Sequence, residues 1–146
     1  MAIQTGGGSS IAISTTAFTG TADASGFGAK TYTNIAEVTT IPAFGKTYAI
    51  VEHKPLSTRY TKKLKTSYNN GSVTLDYALD TADAGQALLF AAVDSDSSFA
   101  YRVTMQNGTI YYFTAQATGS PIEVGTTESI VKGTTTLEID SNVVKV

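Results

Sequence analysis

Five of the chain's ten basic residues, Lys54, Arg59, Lys62, Lys63 and Lys65, fall in one stretch, HKPLSTRYTKKLKTSYNNGS at 53–72, of a protein whose formal net charge is −2. Clustered ammonium and guanidinium groups hold phosphates or carboxylates. The acids segregate as well: Asp76, Asp80, Asp83, Asp94 and Asp96 follow, with no Lys or Arg between Lys65 and Arg102. Three readings are open. A solvated loop beside a solvated helix is the plain one, because charge runs usually mean solvation. A DNA-binding loop is the second, weakened by an overall negative charge that opposes approach to phosphate. The third uses the opposition of signs: a cationic loop on one copy and an acidic rim on the next make a head-to-tail contact that does not close, and such contacts build filaments.

Catalytic chemistry finds little to work with. His53 is the single histidine and there is no cysteine, so a cysteine–histidine pair, a His-rich metal site, a thiolate zinc site and a disulfide framework are all excluded. His53 is expected to end a strand and face solvent. Asp94 and Asp96 are spaced closely enough to suggest calcium, but the glycine at the sixth position and the glutamate at the twelfth of a helix–loop–helix calcium site are missing. GGG at 6–8 lacks the Lys and Ser/Thr spacing of a phosphate loop. Tyr111, Tyr112 and Phe113 could stack bases, yet in a strand adjacent tyrosines point to opposite faces, and packing explains them as well. The expectation is a non-enzyme without cofactor or metal.

The elements that position these residues are mostly strands. Thirteen glycines and eight tyrosines in 146 residues suit pleated strands and tight turns. From Thr31, YTNIAEVTTI and then TYAIVEH read as strands, and NNG closes the cationic loop with turn chemistry. SVTLDYALD alternates, with Val73, Leu75, Tyr77 and Leu79 on one face and Thr74, Asp76 and Ala78 on the other. DTADAGQALLFAAVDSD is the one convincing helix, with Asp80, Thr81 or Asp83 as N-cap and Leu88, Leu89 and Ala92 on one stripe. FAYRVTM and TIYYFTAQA form a hairpin around QNG. TTTLEIDS turns Leu137 and Ile139 inward and Glu138 and Asp140 outward. The fold class is mainly β (α+β): an antiparallel β-sandwich or barrel with one flanking helix. No secretory signal is read at the start, and the longest apolar run, ALLFAAV, is far short of a membrane span. A soluble protein made in a cytoplasm is expected.

Residues 1–30 are rich in Gly, Ser, Thr and Ala and carry too little bulk to order alone. They are expected to form an assembly arm, with Ile11 and Ile13 alternating as a strand added to a neighbour's sheet, ahead of a single domain at 31–146. A functionless tail is the alternative.

Three segments, in this order, carry a family resemblance: GGGSSIAIS, then TNIAEVTTIPAFGKTYAIVEHK, then LDTADAGQALLFAAVDSDSSFAYRVTMQNGTIYYFTAQATG. Together they resemble the tail tube proteins of long, non-contractile-tailed (lambda-like) bacteriophages. SPIEVGTTESIVKG at 120–133, in the connection at 119–133, departs from the pattern. The resemblance implies a virion protein assembled in the host cytoplasm, whose six-membered rings stack into a hollow tube. Its implied partners are further copies of itself, a tape-measure protein, a tail terminator and distal tail proteins, with no membrane partner. Genome DNA passes the bore without specific binding. The long loop would then be an inter-ring loop, with Lys54, Arg59, Lys62, Lys63 and Lys65 facing Asp83, Asp94 and Asp96 of the next ring. The resemblance also favours the bore as the place of Asp76, Glu138 and Asp140. A non-catalytic adhesion or carbohydrate-binding module remains the alternative, since it would share the fold and the missing catalytic residues.

Overall fold

A computed structural model describes residues 3–146. In chain order the elements are β1 (Ser10–Ala17), α1 (Ala24–Gly28), β2 (Tyr32–Asn34), β3 (Val38–Thr40), β4 (Thr47–His53), β5 (Lys62–Asn69) and β6 (Ser72–Ala78). There follow α2 (Ala84–Asp94), β7 (Phe99–Thr104), β8 (Ile110–Gly119), β9 (Ile122–Glu123), β10 (Lys132–Ile139) and β11 (Val144–Lys145). One sheet has the order β2-β1-β7-β8-β10-β6-β3, with β11 on β8 and β9 on β10, and β4 pairs β5 in a second sheet of its own. Every pairing is antiparallel.

The period of two places the core. Ile11 and Ile13 of β1, Tyr101 and Val103 of β7, Phe113 and Ala115 of β8, Leu137 of β10, and Val73, Leu75 and Tyr77 of β6 form one buried cluster, joined by Leu89 and Ala92 of α2. The expected face of SVTLDYALD and the expected helix stripe are both in it. Each large aliphatic side chain so buried contributes about 1.5–3 kcal/mol. On the opposite face of the sheet, α1 covers β7 and β8. Asp23 caps this short helix by accepting from Gly26 N at 2.7 Å. Its Phe27 stacks between Phe18 at 4.8 Å and Tyr112 at 5.4 Å between ring centroids, against Ala100. Over β6 and β10 that face is mostly polar, with the exposed Thr74, Asp76 and Glu138 beside the half-buried Ala78.

The start of α2 is locked to the rest by a buried amide. Gln86 Nε2 donates to Ala36 O at 2.9 Å and to Ala78 O at 3.0 Å, and its Oε1 accepts from Asp80 N at 2.9 Å. Asp83, the N-cap among the three candidates, accepts from Gln86 N at 2.9 Å and from Ala36 N at 3.1 Å. One carboxylate thus satisfies an orphan helix donor and a turn donor 47 residues away in sequence. Gly85 is glycine for space: a Cβ there would lie 2.2 Å from Asn34 O.

Several expectations are corrected. The sheet is open, ending on β2 and β3, so the barrel alternative falls. Two helices are present among the described residues, the second being α1, which residues 1–30 contribute to the body. The arm reading of Ile11 and Ile13 also gives way: both are fully buried in β1, which lies between β2 and β7 of its own chain. The alternation was a strand signal, but the acceptor edge is supplied by β7, some 90 residues on, where sequence patterns cannot see it. Of the rest of that segment, Ile3 is exposed and Gln4 Oε1 accepts from Asn107 N at 3.0 Å; residues 1–2 lie outside the described residues.

Candidate assembly surface

The cationic stretch is not a loop but half of a hairpin. Tyr48 and Ala49 to Val51 form an apolar run with β-branched residues, and β5 pairs with it from Thr47↔Asn69 to His53↔Lys62. Every residue of both strands is exposed, and His53 ends β4 in solvent. Cross-strand register then divides the side chains. Ile50 and Glu52 share a face with Lys65 and Lys63, while Val51 and His53 share the other with Leu64 and Lys62. Lys54 and Arg59 sit on the tip between the strands. The positive block is therefore spread over both faces and the end of a blade, with an aliphatic residue beside each lysine pair position.

The blade is fixed at its foot. Gly45 and Gly71, at φ 136° and 86°, turn the chain into and out of it. Asn70 Nδ2 donates to Ser141 O at 2.7 Å, Gly45 N to Asn70 O at 3.2 Å, and Tyr68 Oη to Asn142 Oδ1. The Lys46 ammonium lies 4.7 Å from the Tyr68 ring centroid and that of Lys65 5.1 Å from the Tyr48 ring centroid. Beyond this foot nothing among the described residues covers it. A lone two-stranded hairpin is marginal in water, and this one presents Ile50, Val51 and Leu64 at 59%, 52% and 64% exposure. Those apolar residues are functional candidates that charge counting passes over. Their signal is present in YAIV, which is apolar without the alternation of a strand packed on one side.

The acidic candidates separate into two kinds. Asp94 and Asp96 are exposed at the end of α2. Asp83 is half-buried and its carboxylate is committed to the cap and the β2–β3 turn, so it serves the fold first. Asp76 and Glu138 are exposed on the polar part of the sheet, Asp76 accepting from Thr134 Oγ1 at 3.0 Å. Asp140 lies on the same side, but its carboxylate accepts from Ser98 Oγ and Thr114 Oγ1, tying the end of β10 to β8 and to the entry of β7. The three carboxylates are not equivalent.

Acid–base chemistry gains no support from the titrating groups. Burial, with a smaller push from Tyr112, raises the Tyr32 hydroxyl to about 12 against the pull of Arg102, whose guanidinium lies 5.0 Å from the Tyr32 ring centroid. Burial alone raises Tyr101 further. Both are packing tyrosines that stay neutral at ordinary pH. Among the described residues no group of three or more His, Asp or Glu could hold a metal ion, and no helix is long and apolar enough to cross a membrane.

No family model matches the chain, and no curated protein matches it by sequence. Solved structures do match by shape. A chain of the anti-feeding prophage baseplate, imaged with six-fold symmetrisation, superposes with a TM-score of 0.66 over 94% of this chain and 90% of its own, at 12% identity. A chain of the sheath/tube terminator of an extracellular contractile injection system, PVC, in its extended state does so with a TM-score of 0.67 over 94% and 92%, at 11% identity. Nearly the whole chain thus has the fold of proteins found in injection-machine assemblies.

Proposed function

We propose that this protein is a tube subunit of a phage-type tail, that its copies form rings, and that the rings stack through the β4–β5 blade. The observation that carries the reading is the blade itself: a cationic, apolar hairpin wholly exposed on both faces, on a body whose fold is shared with tail and injection-system components. Exposed strand pairs with aliphatic side chains are a liability in a monomer and a joint in an assembly. The sequence resemblance supports the finer reading: six-membered rings, a long non-contractile tail, and a bore through which DNA passes. Tape-measure, terminator and distal tail proteins are the further partners that this reading brings. Purified protein viewed by negative-stain electron microscopy over a concentration series should give long hollow polymers. A particle that remains small at every concentration would argue against it.

The polar part of the sheet over β6 and β10 is proposed to face the bore. Carboxylates there deny DNA the phosphate contacts and counterion release that make a basic surface bind it. Asp140, being bonded to Ser98 and Thr114, is best left intact. The double variant Asp76→Lys, Glu138→Lys should therefore assemble, yet slow or stall DNA ejection, most at low salt where screening is least. Unchanged ejection kinetics in that variant, or a tube map with both side chains on the outer wall, would remove the assignment.

A further inference from the structure

An apolar groove of about 650 Å³ opens at the foot of the blade, lined by Val38, Ile41, Phe44, Val103, Met105 and Tyr111, with Thr39 and Thr40 on its rim. No charged residue lines it. At the other end of the same blade, Leu56 is fully exposed at 106% and Tyr60 is 63% exposed. A backbone turn in which Thr58 N donates to Pro55 O at 3.4 Å presents Leu56 at its apex. An apolar side chain on a formed turn is a ready anchor, because little freedom remains to be lost on docking.

Groove and tip cannot meet within one chain. Phe44 and Gly45 of the groove lie just before β4, whose seven residues then carry the chain about 23 Å away before the tip begins. Moving a second copy along the blade axis by about that length brings its groove to the first copy's tip. We propose that the groove is the receptor for the Leu56–Tyr60 tip of a second copy. The charges agree with this occupant: Lys54 and Arg59 flank the tip, whereas Glu37 precedes the groove wall at Val38, and Glu123 lies with Lys132 in the hollow on the other side of Thr39. The contact is heterologous, tip to foot, so each copy that accepts a tip still offers its own, and the series continues. The choice of a second copy as occupant rests on the tube reading.

The chain has no native cysteine, which makes the contact directly testable. One preparation carries Leu56→Cys and another Thr40→Cys, on exposed positions, and the two are mixed and mildly oxidised. A disulfide needs Cα atoms within about 7 Å. Mixed dimers should appear on non-reducing gels, and the double variant in a single chain should give a ladder. Leu56→Asp should raise the concentration needed for polymer about tenfold or more, the loss of one buried leucine per contact. Tubes that form without any 56–40 link overturn the groove contact and leave the tube reading standing. Linked dimers from a protein that never forms tubes support the contact and remove the tube reading. An intrachain link in dilute monomer overturns the contact, since it would mean that the blade folds back on its own groove.

Discussion

Replacing Lys62, Lys63 and Lys65 together by glutamate should leave a folded subunit that no longer stacks into tubes. All three are exposed on β5 and none contributes to the buried cluster, so the body should keep its circular dichroism and thermal midpoint. Two local costs fall on the blade. Lys65 leaves the Tyr48 ring, and a glutamate at 63 stands directly opposite Glu52, a like-charge pair across the strands. Between copies the effect is larger, because three attractive partners become repulsive ones. An exposed ion pair is worth only about 0–1 kcal/mol, but the proposed ring multiplies each contact by its number of subunits, and the losses act at one junction. Tube length falls accordingly. Sedimentation and negative-stain microscopy should show monomers or single rings where, on the proposed tube function, the unaltered protein should give long tubes. Concentrated salt should shorten wild-type tubes in the same direction, through screening. Tubes of ordinary length from the triple glutamate variant would show that the lysines do not join the rings.

The second large effect concerns the fold rather than the joint. Gly85→Ala should destabilise the subunit by about 3 kcal/mol, at the upper end of the usual cost of overpacking. The added Cβ would meet Asn34 O at 2.2 Å, and Asn34 C and the Ile35 Cα at 2.7 Å. These are backbone atoms, which cannot swing aside. Relief requires α2 to lift, and lifting α2 breaks the Gln86 bonds to Ala36 and Ala78 that the same turn supports. For a domain of this size that loss lowers the thermal midpoint by about 6–12 °C. Gly28→Ala is the matched control: a Cβ there meets nothing within 4 Å, and alanine is the better helix former. It should be neutral or slightly stabilising. Equal midpoints for the two variants would mean that the α2 lock is not close-packed.

How much of this was legible beforehand depends on the range of the interaction. SVTLDYALD and TTTLEIDS give their strands and their inward faces by alternation alone, since a pleated strand has only two sides and one must be dry, while FAYRVTM and TIYYFTAQA give a hairpin but, buried on both faces, not its sides. An N-cap among Asp80, Thr81 and Asp83, the turn at Asn107 and Gly108, and the solvent-facing His53 are likewise local matters. That no cysteine is available for a disulfide or a thiolate zinc site follows from residue counts. What alternation leaves undetermined is the identity of the neighbour. Ile11 and Ile13 read as a strand in need of an edge, and only the tertiary structure decided that β7 of the same chain supplies it. Glu138 and Asp140 are one class by pattern, and folding separated them by bringing Ser98 and Thr114 to the second alone. Gly85 and Gln86 look like ordinary helix residues until the turn at 34–37 is laid against them. The basic run was plain in the sequence, whereas its shape as an uncovered blade, with an apolar tip at one end and an apolar groove at its foot, required the paired strands. Each of these is set by contacts between residues far apart in the chain, and a periodicity confined to a single segment carries no information about them.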